Sequence, residues 1–142
     1  MTEPSTISAS QWRLATRWFE RAEGDIRIAR AVVTHEPDTL WGAALHCQQA
    51  AEKISKGLLI AFGIGPPRTY NIEALTELVQ QHAPHLAQQI AALGALTGWY
   101  FTARYPSGVD ESLSSLTDIR VAIDKIEGVR KEIESLAPKS GE

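Results

Sequence analysis

The sequence predicts an all-α protein: an antiparallel up-and-down four-helix bundle with one additional short helix. Three observations carry this reading. Between breaker clusters at Pro37, Gly63–Pro67, Pro84, Pro106–Gly108 and Pro138, apolar residues recur close to every 3.6 positions. No segment alternates apolar and polar residues as a half-buried strand would. The connections are short, which places successive helices side by side and antiparallel.

A first helix is expected over about 9–35, where Trp12, Ala15, Phe19, Ala22, Ile26, Ala29 and Val33 step by three and four along one face. Ser8 or Ser10 supplies its N-cap. Gly24 interrupts it at about 1 kcal/mol relative to alanine. A second helix is expected over about 39–62, capped by Asp38-Thr39, with Leu40, Ala44, Cys47, Ala51, Ile54, Leu58 and Ala61 on one face. Small residues at 43, 44, 47, 50 and 51 invite the close approach of a neighbour, and Gly63 with Pro66-Pro67 ends the helix. Asn71 caps a short helix of about 72–82 that carries Ile72, Leu75, Leu78 and Val79. Pro84 opens a fourth helix of about 85–104, with Leu86, Ile90, Leu93, Thr97, Tyr100 and Arg104 in one row. The last helix, about 110–136, follows Ser107 or Asp110 and turns Leu116, Ile119, Ile123, Ile126, Ile133 and Leu136 inward.

At 142 residues, 44% of them hydrophobic and 22% charged, the chain reads as one domain, 1–142, with its core at about 9–136. A net charge of -3 excludes a global basic field for nucleic acid, though not a local patch. The single cysteine, Cys47, excludes an internal disulfide and fits a reducing compartment. No apolar run approaches the roughly 20 residues that span a bilayer. Met1–Ser10 lacks both the basic and the apolar regions of a secretory signal, so a cytoplasmic protein without membrane contact is expected. HExxH, CxxC, GxxxxGK[ST] and GxGxxG are all absent, so neither a metal nor a cofactor is expected.

Candidate chemistry falls on two helices. On the second, His46, Gln49, Lys53 and Lys56 step by three, four and three as a polar stripe opposite the apolar one. A solvated outer face is the plain reading of such a stripe. Against it stand Trp41, Leu45 and Ile60, which flank the stripe and give the alternative, a second packed surface of the kind that faces a partner subunit. On the fourth helix, Arg104 extends the core row into the last turn. There it either complements the helix dipole, by about 0.3–1 kcal/mol, or holds a phosphate with paired N–H donors. Tyr100 and Tyr105 beside it either cap the core with their hydroxyls or stack on a base. Arg13, Arg17, Arg21, Arg27 and Arg30 interleave with Glu20, Glu23 and Asp25 on the first helix, and Glu23–Arg27 has favourable i, i+4 spacing. This face reads as solvated and self-neutralised. Cys47, on an apolar face, reads as a small hydrophobe.

Taken together, Trp18-Phe19-Glu20-Arg21-Ala22-Glu23-Gly24-Asp25-Ile26, His46-Cys47-Gln48-Gln49-Ala50-Ala51-Glu52-Lys53 with Lys56 and Leu58-Leu59, Gly63-Ile64-Gly65-Pro66-Pro67-Arg68-Thr69, and Tyr100 with Arg104-Tyr105-Pro106 resemble the HEPN domain (higher eukaryotes and prokaryotes nucleotide-binding). The resemblance is to the prokaryotic group with the RYP signature, and it spans residues 12–136 in order. It implies an up-and-down bundle, usually a homodimer, often encoded beside a minimal nucleotidyltransferase as a toxin–antitoxin pair. It also implies binding of a nucleotide or RNA phosphate, with Arg104, Tyr100, Tyr105, Lys53 and Lys56 as ligand-binding candidates. Toxin members resemble metal-independent ribonucleases with an R-x4-6-H signature. Here no histidine follows Arg104, and Tyr70 stands where histidine usually follows the Pro-Pro-Arg-Thr segment. The one R-x4-H string, Arg30 to His35, sets its side chains about 140° apart on a helix and reads as accidental. A binding subunit is therefore the favoured reading. A ribonuclease with a variant site, His46 for proton transfer and Arg104 as phosphate clamp, is the alternative.

Overall fold

A computed structural model describes residues 7–65, 68, 71–93 and 116–138. The described residues form five α-helices and one 3-10 turn, with no strand among them. The helices are α1 (Ala9–His35), α2 (Leu40–Ala61), α3 (Ile72–Gln80), α4 (Pro84–Ala91) and α5 (Leu116–Glu134). The protein is all-α, as its periodicity predicts.

Each boundary has a local cause. Ser8 accepts from the Gln11 backbone N–H, and the Gln11 side chain returns the bond, which completes a capping box. At the junction of α1 and α2, Pro37–Thr39 form the 3-10 turn. Thr39 occupies the N-cap position of α2 without capping it, because its hydroxyl donates back to the Glu36 carbonyl at 2.9 Å. The expected Asp38-Thr39 cap is thus replaced by a backbone turn. At the other end of α2, Ile64 N–H bonds Leu59 O and Gly63 N–H bonds Ile60 O, both at 2.9 Å. This is the double closure of a Schellman motif. It requires the left-handed conformation that Gly63 adopts, with φ +84°. Asn71 Oδ1 accepts from Ala74 N–H to start α3. Pro84 stands in the first turn of α4.

The helix that Pro84 opens is shorter than expected. Its N–H ladder closes at Ala92, and Leu93 N–H turns back to Ile90 O at 2.9 Å. A helix that spacing extends to 104 therefore ends at Ala91, and positions 94–115 lie outside the described residues.

α1 and α2 share the most extensive contact in the fold. They run antiparallel: along α2 from His46 through Gly57 to Gly63, the neighbours on α1 run back from Asp25 through Phe19 to Gln11. Ala43, Ala44, Ala50 and Ala51 are fully buried, as their small size allows. At Gly57 a Cβ atom would stand 2.7 Å from Phe19 Cε1 and 2.9 Å from Trp18 Cβ, so the approach there depends on glycine. Phe19, Ile54, Leu58, Ile119, Ile126 and Ile133 fill the core where α5 packs on this pair. Ile72, Leu75, Val79, Leu86 and Ile90 close it from α3 and α4.

Candidate functional site

The seam between α1 and α2 holds a charged cluster that the core surrounds on one side only. Asp25 lies three residues after Ala22 and four before Ala29, both buried, so the turn of α1 carries its carboxylate inward. Its side chain is 7% exposed. His46 and Lys53 are seven residues apart on α2, two turns along one face, and Asp25 fits between them. His46 Nδ1 stands 2.8 Å from Asp25 Oδ1, and Lys53 Nζ donates to Asp25 Oδ2 at 2.7 Å. An ionised carboxylate only accepts, so this contact calls for the tautomer of His46 that carries its proton on Nδ1. Both partners reach the surface, with 27% of the His46 side chain and 31% of the Lys53 side chain exposed. One buried anion thus fixes two polar heads at the protein–water boundary.

Lys56 is held one turn along by Glu52, Nζ to Oε2 at 2.8 Å, and Gln48, itself buried, donates to Glu52 at 3.4 Å. Every residue of α2 from Gly42 to Ala61 is buried or half-buried. The stripe of His46, Gln49, Lys53 and Lys56 is therefore no freely solvated face. It leans on α1, and its lysines already have carboxylate partners. Trp41 at the start of α2 and Leu14 and Ile28 on α1 are large apolar side chains left about half exposed on these two helices.

The first helix departs from expectation in the same way. Asp25 is buried instead of solvated, and Glu23 pairs across the fold with Arg130 Nε of α5 at 3.2 Å. The Arg130 guanidinium also meets Glu134 at 3.1 Å and lies over the Phe19 ring, 4.9 Å from its centroid. Arg30 and Glu127 make a second α1–α5 ion pair. These pairs rim a groove of about 410 Å³ floored by Ile26, Ile54 and Ile126. They account for most of its charge and clamp α5 to α1.

Cys47 is fully buried beside the cluster. Burial first, and the Asp25 charge second, push its thiol up to about 12, so it stays protonated and unreactive. Among the described residues no group of His, Cys, Asp or Glu is arranged to hold a metal. No helix among them is long and apolar enough to cross a membrane.

Of the residues singled out from sequence, His46 and Lys53 come together on Asp25, and Lys56 stands apart on Glu52. Tyr100, Arg104 and Tyr105 lie outside the described residues. A family model described as HEPN domain matches residues 15–136. The chain belongs to the HEPN domain family. Neither a curated protein nor a solved structure matches it. Within this HEPN domain, Asp25 is the residue that sequence reasoning missed. The signal was present, since its spacing from Ala22 and Ala29 puts it in the core arc of α1.

Proposed function

We propose that this HEPN protein binds the phosphate of a nucleotide or RNA as a homodimeric subunit paired with a nucleotidyltransferase in a toxin–antitoxin-like system. The observation that carries the reading is the Asp25-anchored pair of His46 and Lys53, held part-exposed on the α1–α2 face. The Lys53 ammonium, held on Asp25 by one N–H, keeps its other donors for an anion, and little rotamer entropy is lost when one binds. Arg104 supplies a permanent cation, and Tyr100 and Tyr105 supply faces for a base. Lys56 extends the same stripe. Leu14, Ile28 and Trp41, exposed on α1 and α2, fit burial against a second copy. Titration with short RNA and with ATP at low and moderate salt tests binding, and light scattering at micromolar concentration tests the dimer. Salt-sensitive affinity that Arg104→Ala weakens supports the reading. Unchanged affinity in that variant, or a monomeric mass, contradicts it.

One observation favours a second reading, the metal-independent ribonuclease. With Nδ1 committed to Asp25, Nε2 of His46 makes no hydrogen bond among the described residues. In this reading Nε2 takes the 2′-hydroxyl proton, the 2′-oxygen bonds to phosphorus and the P–O5′ bond breaks. The 5′-oxygen leaves with a proton from solvent, and Arg104 offsets charge on the phosphorane. Cleavage of RNA by the purified protein in chelator, lost in His46→Gln, tests it.

A further inference from the structure

We infer that Asp25 is the positioning residue for His46, and that Lys53 makes this assignment one-sided. The inference rests on the second reading above, in which His46 transfers the proton. The carboxylate offers two acceptors, one to each partner: Oδ1 lies 2.8 Å from His46 Nδ1 and Oδ2 lies 2.7 Å from Lys53 Nζ. An ammonium can only donate, so a charged Lys53 holds one carboxylate oxygen whichever form His46 takes. The other oxygen can then only accept from Nδ1–H, and the Nε2 lone pair is left for the substrate. Lys53 also supplies the positive charge that a carboxylate only 7% exposed requires. The imidazole is therefore not needed as the counter-ion and can serve as a base. In the other charged pair on this stretch of α2, Glu52 takes Lys56 on one oxygen and Gln48 on the other.

This geometry makes a sharp prediction for Asp25→Asn, a change that keeps size and shape. The amide has one oxygen and one NH2, and Lys53 can be met only by the oxygen. The NH2 then faces His46, so Nδ1 must accept and the proton moves to Nε2. The tautomer inverts. In Asp25→Asn/Lys53→Met the oxygen is free again to accept from Nδ1–H, and the original tautomer returns. Long-range 15N–1H correlation spectra of the imidazole at pH 8 separate the protonated ring nitrogen from the bare one and read this without any activity.

The wild type is expected to show Nδ1–H, Asp25→Asn to show Nε2–H, and the double variant to show Nδ1–H again. RNA cleavage is expected to fall about 10²–10⁴-fold in kcat for Asp25→Asn with KM little changed. Should Asp25→Asn not fold, the wild-type spectrum decides alone, and an Nε2–H wild type overturns the inference. So does a protein whose cleavage depends on His46 yet is unaffected by Asp25→Asn. A wild type that shows Nδ1–H and the inversion but cleaves no RNA sinks the ribonuclease reading, while the positioning role stands.

Discussion

Gly57→Ala is a substitution whose sign runs against helix propensity. In an exposed helix interior alanine is worth about 1 kcal/mol over glycine. At position 57 the added Cβ would meet Phe19 Cε1 at 2.7 Å and Trp18 Cβ at 2.9 Å. The first contact is roughly 0.8 Å inside the ordinary carbon–carbon separation of about 3.5 Å. Phe19 cannot yield: it is fully buried, its ring 5.6 Å from that of Trp12 on one side and 4.9 Å from the Arg130 guanidinium on another. The Trp18 contact is at Cβ, so relief there means moving the α1 backbone. Overpacking of this kind costs about 1–3 kcal/mol. With neither neighbour free to yield, the upper part of that range applies, about 2–3 kcal/mol. The propensity gain of about 1 kcal/mol leaves a net loss of about 1–2 kcal/mol. For a domain of this size that lowers Tm by about 3–8 °C. Urea unfolding followed by circular dichroism measures it. Gly24→Ala and Gly128→Ala are the controls, because a Cβ at either position meets nothing within 4 Å. Both are expected to stabilise by about 0.5–1 kcal/mol. A Gly57→Ala protein as stable as the wild type, or more so, would refute the close approach of α1 and α2.

Two further predictions concern the cluster. Asp25→Ala is expected to cost about 2–3 kcal/mol, less than a fully buried pair would, because His46 and Lys53 are part-exposed and can turn to water. A double-mutant cycle with Lys53→Ala should give about 1–2 kcal/mol of coupling, and under about 0.5 kcal/mol would mean the contact is incidental. Cys47, whose folded pKa is raised from 9.0 to about 12, links stability to alkaline pH. The unfolded chain releases this proton above about pH 9 while the folded chain keeps it, so stability falls as pH rises through that window. The slope is about 1.4 kcal/mol per pH unit. Between pH 8 and 10.5 the wild type should lose about 2 kcal/mol more than Cys47→Ala in urea titrations, and equal losses would contradict a buried, protonated thiol.

Much of the fold was legible because apolar spacing records which face is buried. The inward residues of α1, α2, α3 and α5 follow from steps of three and four, and Ser8, Gly63, Asn71 and Pro84 mark their ends through chemistry confined to a few residues. The end of α4 was not legible. Ile90-Ala91-Ala92-Leu93 is a good helical string, yet Leu93 N–H turns back to Ile90 O, a local closure that helix propensity does not encode. The cluster was half legible. His46 and Lys53 stand on one face by spacing, yet the same spacing reads equally as a wet surface until the facing helix is known. Charged residues are so often exposed that Asp25 reads as solvated despite lying within the core arc of α1. Arg130 escaped in the same way. It falls between Ile126 and Ile133 on the inner row of α5, and only Phe19 and Glu23 of α1 explain its presence there.

In the proposed function, a phosphate-bearing ligand binds this HEPN protein through Arg104 together with the Asp25-held pair on α2. The measurement that tests it most directly is the affinity of the purified protein for a short fluorescent RNA and for ATP, at low and moderate salt. Wild type, Arg104→Ala and His46→Gln/Lys53→Gln are to be compared after each variant is shown to fold. Binding by the wild type is expected to weaken with salt, and both variants to lose about tenfold or more in affinity. Wild-type binding that neither variant weakens, or no binding of either ligand at low salt, would contradict it.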